Sequence, residues 1–452
     1  MKFYDRTKEL TEIKRLITIT QNKGSRVIVI TGRRRIGKTR LALESVKETK
    51  HIYLFTKKKK MHDLIQEWSA EVKKTLGEVF YGQFTDFDQF FEFLFSFSRT
   101  TPFIVIIDEV QNLLSVDPTS FGTIQKLYDL HRETSRLCVI FLGSSYSLMN
   151  RIFTNEKEPM FGRASDIIKL SYLPLKAQKE ILKDTSLLTG HNLLHAFSLF
   201  DGVPKYLEEF VDMEAHGFIE KFKALLIERE FLWEEGEYLL KEEFGKEYNS
   251  YYSILSAIAK GRCAMNEIEQ HTGIKEVGAY LANLEETYSL IERKLPITRR
   301  STKERNGRYY LRDNFLHFWF HFIDAKRSLK EVGRIDKALD EILNELPTFE
   351  GRKLEDMLIR TMIEENPLSL EFTKAGKYWD RQGTIELDAV FIDEDTKRVY
   401  IFEVKTNKKK ILKKQLEILH AKALSLQEFN NYSITLGIAY LDKDDLQVEL
   451  CR

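Results

Sequence analysis

The amino-acid sequence predicts a multidomain α/β protein whose N-terminal part is built on a parallel sheet. Across 1–170, short runs of β-branched and aliphatic residues alternate with stretches of helical periodicity, the pattern of strands covered by helices on both faces. The first strong run, Val27-Ile28-Val29-Ile30-Thr31, passes straight into Gly32-Arg33-Arg34-Arg35-Ile36-Gly37-Lys38-Thr39. A glycine-rich loop between a buried strand and a helix is a phosphate-binding device. With 452 residues the chain exceeds what one hydrophobic core supports, so about three domains are expected.

In chain order, core strands are expected at 27–31, 51–55, 103–107, 137–143 and 167–170, each an apolar run bounded by polar or turn residues. Helical spacing at 175–185, 191–200, 205–211 and 219–244 predicts a lid of helices. Next come helices at 252–260, 265–272 and 275–288, with a turn at Gly273, and a two-stranded ribbon at 290–296 and 308–311. That order is a winged helix. A helical connector at 338–344 leads to a C-terminal α/β domain with a hairpin at 385–392 and 399–405. The expected divisions are a phosphate-loop core at 1–170, lid at 171–245, winged helix at 246–330, connector at 331–345 and a nuclease-like domain at 346–452.

The loop residues suit a triphosphate, which has to be wrapped by backbone N–H groups at close range. Gly32 and Gly37 permit that approach, and the helix opening at Lys38 points its positive end at the phosphates. Lys38 is expected on the β- and γ-phosphates and Thr39 on magnesium, with Arg33, Arg34, Arg35, Ile36 and Arg40 completing the nucleotide-binding surface. The strand Phe103-Ile104-Val105-Ile106-Ile107 ends in Asp108-Glu109. Asp108 is expected to hold the hydration shell of Mg²⁺ and Glu109 to polarise the attacking water. Ser144, in Gly143-Ser144-Ser145 after the fourth core strand, is either a γ-phosphate sensor or part of an ordinary serine-rich turn. Arg163, in Phe161-Gly162-Arg163, is either an arginine finger or a surface arginine.

Seventy Lys and Arg against 69 Asp and Glu give a formal net charge of +1, so any nucleic-acid surface must be local. Such a surface is offered by Arg293, Lys294, Arg299, Arg300, Lys303, Arg305 and Arg308, the basic wing at 293–308. The helix that would enter a major groove carries Lys275 but also Glu276, Glu285 and Glu286, a poor match to phosphates. DNA contact through the wing and protein packing by the same module both fit. Cys138, Cys263 and Cys451 are far apart and form neither a disulfide framework nor a zinc site. The start of the chain has no apolar signal segment, and no apolar run approaches the roughly 20 residues of a membrane span, so a cytoplasmic protein without membrane contact is expected.

At the C-terminus, strand alternation puts Glu403 and Lys405 on one face, and the hairpin brings Asp388 near them. Two carboxylates and a lysine suit metal-assisted phosphodiester cleavage, with Asp388 and Glu403 on Mg²⁺ and Lys405 orienting water or offsetting charge. Glu355 on the preceding helix and Gln415 on the following one would complete the site. A charged strand edge that discourages aggregation accounts for the same residues. Lys408, Lys409, Lys410, Lys413 and Lys414 suit a DNA backbone or a solvated helix start.

The chain resembles the archaeal-type ATPases of the STAND class that carry a C-terminal domain of unknown function. The resemblance is carried by Phe3-Tyr4-Asp5-Arg6 with Glu9-Leu10, Gly32 to Thr39, Asp108-Glu109 with Gln111, and Gly143-Ser144-Ser145. It continues through Phe161-Gly162-Arg163, Gly202-Val203-Pro204-Lys205-Tyr206, Tyr309 to Phe315, and Phe318-Trp319-Phe320. It implies ATP as the nucleotide, Arg6 and Pro204 near the base, Arg163 on the γ-phosphate, and a C-terminal domain similar to PD-(D/E)xK nucleases. Leu387 stands where that pattern has a proline before Asp388. The resemblance also implies a switch between ATP and ADP states, with ATP-dependent self-association. Two functions follow as expectations: an ATP-hydrolysing switch coupled to a DNA-directed winged helix and nuclease-like domain, in mobile-element or defence roles, or an ATP-gated scaffold whose C-terminal domain binds without cutting.

Overall fold

Five strands with almost uninterrupted apolar sequence, β1 (Arg26–Thr31), β2 (His51–Phe55), β3 (Phe103–Asp108), β4 (Leu137–Gly143) and β5 (Asp166–Lys169), form a sheet in the order β2-β3-β4-β1-β5. Each neighbouring pair in it is parallel. β1, β3 and β4 are buried almost throughout because helices cover both faces. One face packs on an aromatic-rich cluster that includes Trp68, Phe87, Phe90 and Phe91. Register pairs Thr31 with Gly143 and Ile107 with Phe141, so β1, β4 and β3 end side by side. The expected strands are all present, with ends shifted by at most one residue.

The computed structural model describes residues 1–77, 84–298, 307–380, 382 and 384–451. Its chain forms two compact units, Asp5–Ser171, which contains this sheet, and Tyr172–Arg452 together with Met1–Tyr4. Four of the expected wing cations, Arg299, Arg300, Lys303 and Arg305, lie outside the described residues.

The second unit begins with helices Leu175–Asp184, Gly190–Phe200 and Pro204–Val211. The single helix expected at 219–244 is two, Phe218–Glu228 and Phe231–Phe244. The chain breaks at Arg229 (φ −107°, ψ 81°). The Trp233 indole closes the break on Leu226 O (2.8 Å), and Gly236 fits flat against Trp319 where a Cβ would collide with the ring. Helices Tyr248–Ala259, Met265–Thr272 and Val277–Ala282 follow. After them comes an antiparallel ribbon of β6 (Ile291–Lys294) and β7 (Arg308–Leu311).

The expected short connector at 338–344 is instead the start of a 30-residue helix, Ile335–Glu364, that runs through Pro347. An internal proline costs roughly 3 kcal/mol. Buried Ile342, Leu346, Phe349, Leu354 and Met357 flank it on both sides, and their packing outweighs that cost. The C-terminal sheet has five strands, β8 (Lys374–Trp379), β9 (Glu386–Asp393), β10 (Arg398–Lys405), β11 (Ser433–Leu441) and β12 (Leu446–Leu450), ordered β12-β11-β10-β9-β8. Only β10 and β11 run parallel; the other neighbours are antiparallel. Helix Lys413–Leu424 joins β10 to β11, and its Leu419 and Ala423 share a core with Val390, Ile392, Val399 and Ile401. Among the described residues no helix is long and apolar enough to cross a membrane.

Candidate nucleotide site and C-terminal acidic cluster

The end of β1 delivers the chain into a loop whose shape needs its glycines. A Cβ on Gly32 would lie 2.6 Å from Leu170 O, closer than any side chain tolerates. Arg35 (φ +69°) and Gly37 (φ +94°) then turn the backbone through the left-handed region into helix Lys38–Val46. The Lys38 side chain is buried and folds back over the loop, with Nζ donating to Gly32 O (2.8 Å) and Arg33 O (3.1 Å). Ile36 is also buried and anchors the turn.

The parallel register puts the acids of β3 beside that loop. Asp108 accepts from Thr39 Oγ1 (2.7 Å) and Tyr53 OH (2.8 Å) on one oxygen and from the Glu109 backbone N–H (2.8 Å) on the other. Burial, with Asp108 and Glu109 close by, pushes the Tyr53 phenol well above its ordinary range, so it stays a neutral donor. Glu109 sits in the left-handed region (φ +52°), a conformation costly for a residue with a Cβ and common at functional sites. Its carboxylate accepts from Ser144 Oγ (2.7 Å) and from the Gln111 amide. Ser144 therefore meets Glu109 at the end of β4, between the loop strand and the acid strand.

Thr39 and Asp108 offer a hydroxyl and a carboxylate in contact, the oxygen donors that Mg²⁺ takes. Arg6, buried and in the left-handed region (φ +69°), donates to Ser171 O and Glu9 (3.4 Å). Burial lowers its guanidinium pKa. Ser171 follows Leu170, the residue against which Gly32 packs, which brings Arg6 to the loop side of the core. Pro204 opens helix Pro204–Val211 in the other unit.

Arg163 departs from the expected place within its own chain. Its guanidinium forms a two-pronged pair with Asp129 (2.8 and 3.2 Å) and donates to Phe161 O (3.0 Å). Two residues on, Ser165 N bonds Val27 O (2.7 Å) near the start of β1. The phosphate loop leaves the other end of that strand, roughly 13 Å away at the usual rise per residue.

In the C-terminal sheet Ala389 pairs with Phe402, so continuing the register sets Asp388 opposite Glu403, on one face with Lys405. These acids are met by lysines. Glu403 pairs with Lys405 (2.6 Å), while Lys377 of β8 bridges Glu355 (2.8 Å) and Asp356 (3.1 Å) of the long helix. Burial pushes the Glu355 carboxyl up against the opposing pull of Lys377, with Asp388 adding to the rise. Asp388 is also raised, by burial ahead of the lowering influence of Lys377. Burial disfavours charge on Asp356 too, but Lys377, Lys294 and Lys353 outweigh it and hold the group at about 2. Among the described residues no three His, Cys, Asp or Glu side chains are placed to share a metal ion. Of the two residues expected on Mg²⁺, Glu403 is held by the Lys405 ammonium, while Asp388 lies opposite it in the register.

The β6–β7 ribbon is engaged as well. Arg308 pairs with Glu386 (2.9 Å) and lies over the Trp379 ring, Lys294 pairs with Glu292 (2.8 Å), and Ile297 bonds Lys377 O (3.0 Å) and enters the C-terminal core. Ribbon, long helix and β8–β9 together enclose a cavity of about 520 Å³ that reaches Asp388 and Glu355. Lys408 of the C-terminal lysine run pairs with Glu449 (2.8 Å). Tyr53, Asp129, Asp356 and Lys377 are structural partners that sequence reasoning missed. Tyr53 alone had a usable signal, a polar tip inside a buried strand.

Residues 3–210 match the family described as an ATPase domain predominantly from Archaea, and residues 319–417 match a family described as archaeal and bacterial proteins of unknown function. An uncharacterized protein of Methanocaldococcus jannaschii, MJECL04, is 32% identical over 444 residues, 96% of this chain and 95% of that one. Among solved structures, the Walker-type ATPase PABY2304 of Pyrococcus abyssi superposes with a TM-score of 0.53 at 18% identity, over 71% of this chain and 96% of that chain. The ORC2 protein of Aeropyrum pernix, solved with ADPNP and ADP, gives a TM-score of 0.45 at 13% identity, over 76% of this chain and 96% of that chain.

Proposed function

Because the chain belongs to the archaeal ATPase family, with a second domain of the companion family at its C-terminus, we propose that it is a magnesium-dependent ATP hydrolase that works as a molecular switch. The observation that carries this reading is the meeting of Lys38, Thr39, Asp108, Glu109 and Ser144 at one end of the core sheet. Backbone N–H groups of the loop and the first turn of helix Lys38–Val46 cradle the phosphates, and Lys38 supplies a fixed positive charge. Thr39 and Asp108 would hold Mg²⁺, which when bound offsets phosphate charge. Glu109, aligned by Ser144 and Gln111, accepts the proton of the attacking water.

Turnover of ATP by purified protein tests this. Glu109→Gln should lower the rate by about 10²–10⁴-fold while nucleotide binding persists, and Lys38→Ala should weaken both. A Lys38→Ala protein with full affinity and full turnover would overturn the reading.

The switch has two candidate outputs. In one, the winged helix and the nuclease-like domain act on DNA, with Asp388, Glu403 and Lys405 at the cut; in the other, the C-terminal domain binds a partner without cutting. The lysine partners of Glu355, Asp356 and Glu403 favour the second in this arrangement. Plasmid nicking in Mg²⁺ or Mn²⁺, with and without ATP, separates them. Cleavage abolished by Glu403→Ala makes the domain a nuclease, and absence of cleavage in every condition leaves the ATP-gated binding protein. ATP-dependent self-association belongs to the same reading and is checked by sedimentation with ATP and with ADP.

A further inference from the structure

The cavity beside the C-terminal acidic cluster is lined by Asp201, Glu292, Glu355, Asp356, Glu386 and Asp388 and by seven Lys and Arg, three of which form no ion pair among the described residues. Among its lining cations Lys294, Arg308, Arg360 and Lys377 each meet a carboxylate. Three others do not. Among the described residues Arg312 donates to Ile291 O (2.8 Å) and Ser289 Oγ (3.0 Å), and Lys353 donates to the amide oxygen of Asn314 (2.8 Å). Arg352 has no ion-pair partner among the described residues. Lys353 is 4% exposed. An ammonium buried that deeply beside a cavity, hydrogen-bonded to a neutral amide and attracted by Asp356 and Asp201 without an ion-pair contact, is a costly arrangement that a further anion would relieve. Burial and the neighbouring lysines lower its pKa, although Asp356 and Asp201 oppose the shift.

The size and walls of the space narrow the class of anion. About 520 Å³ is within the range of small-molecule sites and far larger than a bare phosphate needs. Tyr310 and Tyr172 line the same space, so an apolar ring has somewhere to lie. A folded duplex, about 20 Å across, cannot enter a cavity of this size.

We propose that this cavity is a second nucleotide site, which takes a nucleoside phosphate with its phosphate on Lys353, Arg352 and Arg312 and its base toward Tyr310. It is separate in sequence from the phosphate loop, and it requires neither ATP hydrolysis nor cleavage at Asp388. A free mononucleotide and the phosphorylated end of a single strand offer the same chemistry.

The test is equilibrium binding to full-length protein carrying Lys38→Ala, which weakens the phosphate loop, in EDTA so that no metal bridges the ligand. The probes are a fluorescent nucleoside monophosphate, a short single-stranded oligonucleotide with a 5′-phosphate, and the same oligonucleotide without it. The inference expects saturable binding of at least one phosphorylated probe, weakened about ten-fold or more by Lys353→Met and, independently, by Arg352→Gln. Arg352 is exposed at the cavity mouth, so its replacement leaves the fold intact if Lys353→Met does not. Preference for the mononucleotide identifies a free ligand, and preference for the phosphorylated oligonucleotide identifies a strand end. The inference fails if no phosphorylated probe saturates, if both variants bind as the Lys38→Ala protein does, or if removal of the 5′-phosphate changes nothing and the mononucleotide does not bind.

Discussion

The phosphate-loop site and the C-terminal cluster both gather carboxylates, but they satisfy them in opposite ways. Asp108 and Glu109 are met by neutral donors, the hydroxyls of Thr39, Tyr53 and Ser144 and the amide of Gln111. Glu355, Asp356 and Glu403 are met by the ammonium groups of Lys377 and Lys405. A hydroxyl orients a carboxylate without cancelling its charge, so the first site keeps its attraction for a divalent cation. A lysine at about 3 Å supplies the positive charge itself. The difference teaches that two acidic constellations of similar make-up can leave different amounts of charge for a ligand to offset.

The sharpest way to break the contrast is to remove the lysine. Lys377→Met leaves two part-buried carboxylates facing each other and Asp388 without their shared cation. Breaking a fully buried pair costs about 3–5 kcal/mol and an exposed one less than about 1, so a loss of about 2–3 kcal/mol is expected in urea unfolding of the second unit. Mn²⁺ should then restore part of that stability, as it does not in the parent protein. Lys38→Ala makes the counterpart in the first unit: Lys38 Nζ donates to the backbone carbonyls of Gly32 and Arg33, and the stability cost should stay near 1 kcal/mol. A Lys377→Met protein indifferent to Mn²⁺ would show that the acids do not converge even when freed.

Acid sharpens the same contrast by a smaller amount. Asp356 is held at about 2 in the folded protein against an ordinary value of 3.8. A depressed carboxyl pKa contributes stability that is fully present above the unfolded value and is lost as pH falls through the folded one. The long helix and β8 should therefore come apart progressively between about pH 4 and pH 2, and Asp356→Asn should remove that dependence while lowering stability at neutral pH. Hydrogen exchange of the backbone at 353–360 and 374–379 across this range checks it.

How far each site is legible in the sequence follows from how its residues are spread. Gly32 to Thr39 and Asp108-Glu109 are contiguous motifs at the ends of uniform apolar runs, and their neighbourhood follows from parallel register alone. The C-terminal face of Asp388, Glu403 and Lys405 is readable for the same reason, since alternation fixes it. Lys377 is not, because β8 is an edge strand whose Lys374-Ala375-Gly376-Lys377 half carries no apolar alternation and only Tyr378 and Trp379 are buried. The long helix is hidden by Pro347, which reads as a stop although packing on both sides carries the helix through. In both places tertiary contacts decide what local pattern cannot.

The smallest expected effect concerns Arg163, an expected phosphate ligand whose guanidinium pairs with Asp129. Its pair with Asp129 is half-buried on the arginine side and exposed on the aspartate side, so Arg163→Ala should change stability by no more than about 1 kcal/mol. In dilute protein it should leave ATP turnover within about two-fold, because nothing in its own chain carries the guanidinium from the start of β1 to the loop at its end. Exposed Phe161 and Leu130 flank the pair and leave that end of the core open to another surface. If turnover of the parent protein rises with concentration and that rise disappears in Arg163→Ala, the arginine serves the site of a second copy; if the two proteins follow the same curve, it is a surface arginine held by Asp129.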